Sequence, residues 1–138
     1  MPFDQLYDAV HEQRVHIVVS AVTITPERQQ TLFFSEPYLD AGMSLAVSAG
    51  NSDINSLKNL TGKRVAVLKG TIGEEMALSN GLFKQSEIIT YQVNEKRMAD
   101  LNNGVVDAAI VHFLTTDDEK IKLVGAPLVS RFMGLLHI

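Results

Sequence analysis

Apolar positions change period several times along the chain, and each change marks an element. In residues 3 to 13, FDQLYDAVHEQ, Phe3, Leu6, Tyr7 and Val10 recur at helical spacing with acids between them, which predicts a short amphipathic helix docking on a sheet. From Val15 to Val22 β-branched residues crowd together, and this run predicts a strand buried on both faces, as in a parallel sheet. In Thr25-Pro26-Glu27-Arg28, Thr25 suits an N-cap, Pro26 the first helical position and Glu27 the positive helix end, so a short helical turn should carry Arg28. Phe33 to Tyr38 then predicts an extended crossing segment, because a residue before proline avoids the helical region. Gly42 and the apolar residues 45 to 47 open another strand.

Asn51 to Gly62 is polar and turn-rich, and Asp53 or Asn55 is the expected cap of a short helix through Leu57 and Leu60. Lys63 to Leu68 reads as a strand, Lys69 to Gly73 as a glycine-bearing turn, and Glu74 to Asn80 as a helix ended by Gly81. Strand, glycine turn and helix N-terminus in that order can receive an anion. Ile88 to Val93 reads as a strand and Glu95 to Asn102 as a helix with Met98 and Leu101 inward, closed by Gly104. Val105 to Val111 is the next buried strand, Ile121 to Val124 a short one, Gly125-Ala126-Pro127 a turn, and Gly134 to Ile138 a last strand. The helix, turn and strand of residues 3 to 22 echo those of 95 to 111, which suggests two similar α/β lobes.

Composition narrows the function. A chain of 138 residues with 46% hydrophobic and 20% charged positions can bury a core of its own. Its net charge of −4 leaves no basic surplus to displace counterions, so no nucleic-acid partner is expected. There is no cysteine, hence no disulfide, thiolate metal site or thiol nucleophile. No apolar run approaches the roughly 20 residues of a membrane span, and Met1 to Asp4 is not the start of an export signal. His11, His16, His112 and His137 are scattered, with no metal-ligand spacing. Ser20, Ser35 and Ser130 sit in no nucleophile elbow, and no acid pair is placed for acid and base work. Neither cofactor, metal nor enzymatic activity is expected.

Four stretches carry a resemblance: SAVTITPERQQTLFFSEPY at 20–38, LTGKRVAVLKGTIGEE at 60–75, LNNGVVDAAIV at 101–111 and KLVGAPL at 122–128. In this order they resemble the type 2 periplasmic solute-binding proteins for polar amino acids, whose fold is shared by the ligand-binding cores of ionotropic glutamate receptors. The resemblance implies a periplasmic-binding-protein-like type II fold of two α/β lobes joined by crossing hinge strands, with ligand held between the lobes. It places partial lobe 1 at 1–38, the hinge crossing at 39–42, lobe 2 at 43–128, and the return hinge and start of the return to lobe 1 at 129–138. The family's opening strand and its C-terminal lobe 1 helices have no counterpart, so lobe 1 should be incomplete and the chain truncated at both ends.

The resemblance also implies roles for particular residues. Arg28 matches the arginine that grips the ligand carboxylate, and a guanidinium fork suits a carboxylate through two parallel hydrogen bonds. Thr23, Ser20 and Ala21 would line the same wall. Gly70 and Thr71 would meet the carboxylate from the other lobe, Ile72 replaces a residue that commonly carries a hydroxyl, and Leu68 would face the ligand side chain. His112 stands where the family has the aspartate that pairs with the ligand ammonium, and a protonated imidazole would repel that group. Asp117 and Asp118 are the nearby acids that could substitute. His16, also at an aspartate position, reads as structural.

The expected function is therefore extracytoplasmic binding of a small carboxylate solute, foremost an amino acid, for uptake through ABC-transporter membrane subunits by hinge closure. A ligand-sensing domain of a receptor, channel or kinase is the first alternative, and a dehydratase-like enzyme using His112 as a base the second. An incomplete lobe 1 also predicts a homo-oligomer, through exposed strand edges or exchange of the segment Met1 to Tyr38.

Overall fold

The structure, a computed structural model, describes residues 1–112 and 120–137. A single 3₁₀ turn, Phe3–Gln5, leads into α1 (Leu6–His11), followed by β1 (Ile17–Thr23), the one-turn α2 (Pro26–Gln29) and the two-residue β2 (Phe33–Phe34). The long β3 (Leu39–Ser48) precedes β4 (Arg64–Leu68), α3 (Ile72–Ser79), β5 (Glu87–Tyr91), α4 (Asn94–Asn102), β6 (Ala108–His112) and the longer β7 (Ile121–His137). The strands lie in the order β1-β7-β3-β6-β4-β5, with β2 also on β7.

Two kinds of pairing divide this sheet. β4 runs parallel to β5 and β6, the arrangement expected when helices such as α3 and α4 link successive strands. β3 and β7 run antiparallel, Ser48 opposite Ile121 at one end and Leu39 opposite Met133 at the other. Beyond β3, β7 continues between β1 and β2, with Ile17 and Phe33 both opposite His137. The β3–β7 ribbon thus connects the β1–β2 group to the β4–β5–β6 group.

The cores follow the same division. Met43, Leu45 and Val47 of β3 join Val65, Val67, Ile110, Ile72 and Ala77 on the α3 face of the sheet. Ala46, Ala66 and Ala109 face the other way and pack with Leu101 of α4, Val106 and Ile121. These strands are buried on both faces, and their near-continuous apolar sequences reflect it. The N-terminal core is thinner: Val10, Val18, Val22 and Leu32, flanked by Phe3, Leu6, Tyr7, Val15 and Phe34.

Several expectations need correction. β1 is antiparallel to β7, and only one face of its first half is covered: Val18 is buried whereas Ile17 and Val19 are 55% and 71% exposed. Its β-branched run therefore reflects strand propensity without two-sided burial. Gly125-Ala126-Pro127 is not a turn between two strands; it lies inside β7, where the pairing jumps from Met43–Val129 to Leu45–Val124. An irregularity in a long strand accommodates a proline that cannot donate to the ladder. Ser56, not Asp53 or Asn55, caps the 3₁₀ turn Leu57–Asn59, completing a capping box with Asn59. Asn51 instead closes its own turn by accepting from the amides of Asp53 and Ile54.

α3 starts at Ile72 with Thr71 as its cap, earlier than the expected Glu74, and Gly81 opens a 3₁₀ turn after the helix rather than ending it. β6 begins at Ala108, because Val105 and Val106 still close α4 through hydrogen bonds to the Asp100 carbonyl. The N-cap role of Thr25, the first-turn Pro26 and the left-handed Gly104 at φ 75° match expectation.

Candidate functional site

Thr25 fixes Arg28. Its Oγ1 accepts from the Arg28 amide at 3.2 Å, starting α2 so that the arginine leaves the last turn toward the Gly70 loop. There the guanidinium donates through Nη1 to the Thr23 carbonyl at 2.8 Å and through Nη2 to the Gly70 carbonyl at 3.0 Å. It stacks 5.1 Å from the centre of the Tyr7 ring, and Glu75 lies 3.8 Å from Nη2. Tyr7 also donates its hydroxyl to the Gly70 carbonyl at 3.2 Å, and burial pushes its pKa up to about 12, so it stays a donor at neutral pH. Arg28 thereby ties the N-terminal core to the turn after β4, using two of its five donors on carbonyls.

That turn is shaped by Gly70, whose φ is 81°. A Cβ at this position would stand 2.9 Å from the Asp4 Cα, so only glycine permits both the left-handed backbone and the close approach of the N-terminal segment. Thr71 donates its hydroxyl to the Leu68 carbonyl at 2.6 Å and accepts from the Glu74 amide at 3.3 Å. Lys69 and Asp4 form an ion pair at 3.6 Å across the same junction.

Beside this junction lies a cavity of about 230 Å³. Ser20, Ala21, Leu68, Thr71 and His112 line it, together with Phe3, Met43, Asn94, Arg97, Ile110 and Val111. The fold therefore brings five of the nine anticipated residues to one space, contributed by β1, the β4–α3 junction and β6. Arg28 and Gly70 line an adjacent depression with Tyr7, Glu27 and Glu75. Thr23 is buried at 2% exposure and participates through its carbonyl. Ile72 packs in the α3-side core and faces a separate hollow with Thr25 and Met76. The Ser20 carbonyl accepts from the Tyr38 hydroxyl at 2.8 Å. Exposed His16 lies at the edge of β1, and Asp117 and Asp118 fall outside the described residues.

Arg97, Asn94, Phe3 and Met43 were not anticipated as lining residues. Arg97 is 6% exposed; it donates through Nη1 to the Ile110 carbonyl at 2.8 Å and through Nη2 to Asn94 Oδ1 at 2.7 Å. Burial lowers its pKa to about 10, which leaves it charged at neutral pH. The signal was present: Asn94, Arg97 and Leu101 recur at i, i+3 and i+7, the spacing of one helix face. His112 is held below its ordinary pKa by burial first, then by Arg97 and Arg28, so its imidazole is neutral at pH 7. Among the described residues no group of acids and histidines could hold a metal ion.

Two α/β lobes joined by crossing strands around a cleft define the class of type II periplasmic binding folds, and three comparisons locate the chain within it. Residues 1–95 match the bacterial extracellular solute-binding proteins, family 3, and the chain belongs to that family. The histidine-binding periplasmic protein of Escherichia coli K12 is 36% identical over 109 residues, which are 78% of this chain and 42% of that protein. The amino acid ABC transporter substrate-binding protein AbpA from Streptococcus pneumoniae, bound to L-arginine, superposes with a TM-score of 0.89 at 25% identity, over 99% of this chain and 60% of that one. An ancestral amino acid-binding protein, AncCDT-1, a precursor of cyclohexadienyl dehydratase, gives 0.88 at 26% identity, covering 99% and 61%. The chain thus spans under half the length of the curated relative it matches.

Proposed function

We propose that this chain is part of an extracytoplasmic solute-binding protein, periplasmic or extracellular, that holds a small carboxylate solute for ABC-transporter uptake. Residues 1–38 contribute partial lobe 1, 39–42 the hinge crossing, 43–128 lobe 2, and 129–138 the return. The observation that carries the reading is the cavity where Ser20 and Ala21 on one side meet Leu68, Thr71 and His112 on the other, beside the Arg28 tie to Gly70. A relative named for histidine binding and a solved structure bound to L-arginine make an amino acid the reference ligand.

Ligand would dock on the β1–α2 wall, and the β4–α3 junction would close over it by bending of the β3–β7 ribbon. Only contacts that exist in the closed state stabilise closure. Arg28 donors not engaged by carbonyls would meet a carboxylate in the depression beside the cavity, in competition with Glu75 at 3.8 Å from Nη2. Titration calorimetry of the chain with the common L-amino acids and 2-oxo acids tests this. Saturable heat with at least one is expected, and no heat with any of them contradicts the reading.

A binding protein is favoured over an enzyme by the kind of relative the chain matches, and the titratable groups among the described lining residues, Arg97 and His112, include no acid. Unchanged background rates of prephenate and arogenate loss in the presence of the chain are expected. Self-association is favoured by the exposed apolar side chains Ile17, Val19 and Phe33 beside the thin N-terminal core. Light scattering at micromolar concentration should give the mass of a dimer or larger, and a monomer mass refutes it.

A further inference from the structure

The described cavity walls contain no aspartate or glutamate, and their two titratable side chains, Arg97 and His112, are both basic types. An amino acid placed there would meet no carboxylate among the described lining residues with its ammonium.

Arg97 is the sharper half of this observation. It is more than nine-tenths buried, and its Nε–H has no hydrogen-bond partner among the described residues. It has no ion pair among them either. The acid one turn further along α4, Asp100, is engaged by the Tyr91 hydroxyl at 2.7 Å and by Lys96 at 2.8 Å. A buried guanidinium held by one carbonyl and one amide oxygen keeps its charge with no counter-ion among the described residues, and burying a charge unpaired is costly. An anion against the guanidinium where it lines the cavity would supply the missing charge. His112, neutral and next to it, adds no repulsion to an anion.

We infer that the cavity selects an amine-free dicarboxylate, with one carboxylate facing the Arg97 guanidinium where it lines the cavity and the other facing Thr71 and the turn that Arg28 holds. The inference rests on the carboxylate-binding reading above and narrows it. A volume of about 230 Å³ is the share of roughly eight waters at about 30 Å³ each, room for a short chain of four or five carbons.

Calorimetric titration of the 138-residue chain with 2-oxoglutarate, L-glutamate and 2-oxovalerate separates the contributions. L-Glutamate differs from 2-oxoglutarate in bearing an amine, and 2-oxovalerate in lacking the distal carboxylate. At least tenfold tighter binding of 2-oxoglutarate than of either is expected. Arg97→Gln should reduce that preference over 2-oxovalerate to within threefold while 2-oxovalerate still binds. L-Glutamate or another amino acid binding more tightly than 2-oxoglutarate, or equal affinity for 2-oxoglutarate and 2-oxovalerate, overturns this inference and leaves carboxylate binding standing. No heat with any of the three, nor with any amino acid, overturns both. Selectivity of the unsubstituted chain decides the matter if Arg97→Gln does not fold.

Discussion

Two arginines mark the candidate site, Arg28 in the depression beside the cavity and Arg97 in the cavity lining, and their circumstances differ. Arg28, on the β1–α2 wall, sits in a recognisable turn, and its guanidinium is matched by the Thr23 and Gly70 carbonyls, the Tyr7 ring and a distant Glu75. Arg97, on the α4–β6 wall, lies in an ordinary amphipathic helix, yet it is buried against the cavity with a donor left over. The first is a latch whose electrostatics are largely satisfied inside the chain. The second is a buried cation without an ion pair among the described residues. A motif identifies the residue that can bind, while burial and pairing identify the one that still needs a partner.

The largest expected effect breaks the latch from the far side. Gly70→Ala must place a side chain on left-handed backbone and drive a Cβ to within 2.9 Å of the Asp4 Cα. A loss of about 3 kcal/mol in urea unfolding is expected, from the backbone strain and the displaced segment together. Arg28→Met comes next. Removing two charge-assisted bonds to carbonyls and the stacking on Tyr7 should cost about 2 kcal/mol and weaken carboxylate binding at least tenfold. Equal stability of Arg28→Met and the unsubstituted chain would remove the latch from the account.

Acidification sharpens the other wall. Because burial, Arg97 and Arg28 hold His112 below its ordinary pKa, the unfolded chain takes up that proton first. Stability is therefore complete above about pH 6.5 and falls as pH drops through that value. Thermal melts between pH 7 and pH 5 should show this slope, and His112→Gln should flatten it. Asp100 and Asp107 contribute separately, at lower pH. The Lys96 and Tyr91 hydrogen bonds hold Asp100 below the usual carboxylate range; burial raises Asp107, but its Arg64 bonds outweigh that and hold it lower. Their stabilisation is lost only as pH falls below about 4. The smallest effect is expected at Val19, 71% exposed on β1: Val19→Lys should change monomer stability by no more than about 0.5 kcal/mol while reducing self-association measured by light scattering.

Much of this was legible where sequence and environment agree. Thr25-Pro26-Glu27-Arg28 specifies a capped turn by local chemistry alone, and the two-faced strands at 65–67 and 108–111 announce their burial by unbroken apolar runs. Legibility failed where the deciding partner is remote in sequence. The exposed face of β1 depends on its pairing with β7, more than a hundred residues later, and the placement of Gly125 to Pro127 inside a strand depends on the length of β3. The site divides in the same way. Arg28, Thr71 and His112 sit in stretches whose pattern names them, while the spacing of Arg97 with Asn94 and Leu101 marks a shared helix face without showing that the arginine is buried against a cavity.

The most direct measurement follows the Nε–H resonances of both arginines by nitrogen-15 NMR, assigned by their disappearance in Arg28→Met and Arg97→Gln. With 2-oxoglutarate both resonances should move, and with 2-oxovalerate only that of Arg28. If 2-oxoglutarate binds and the Arg97 resonance stays in place, the claim that its charge awaits a ligand is contradicted.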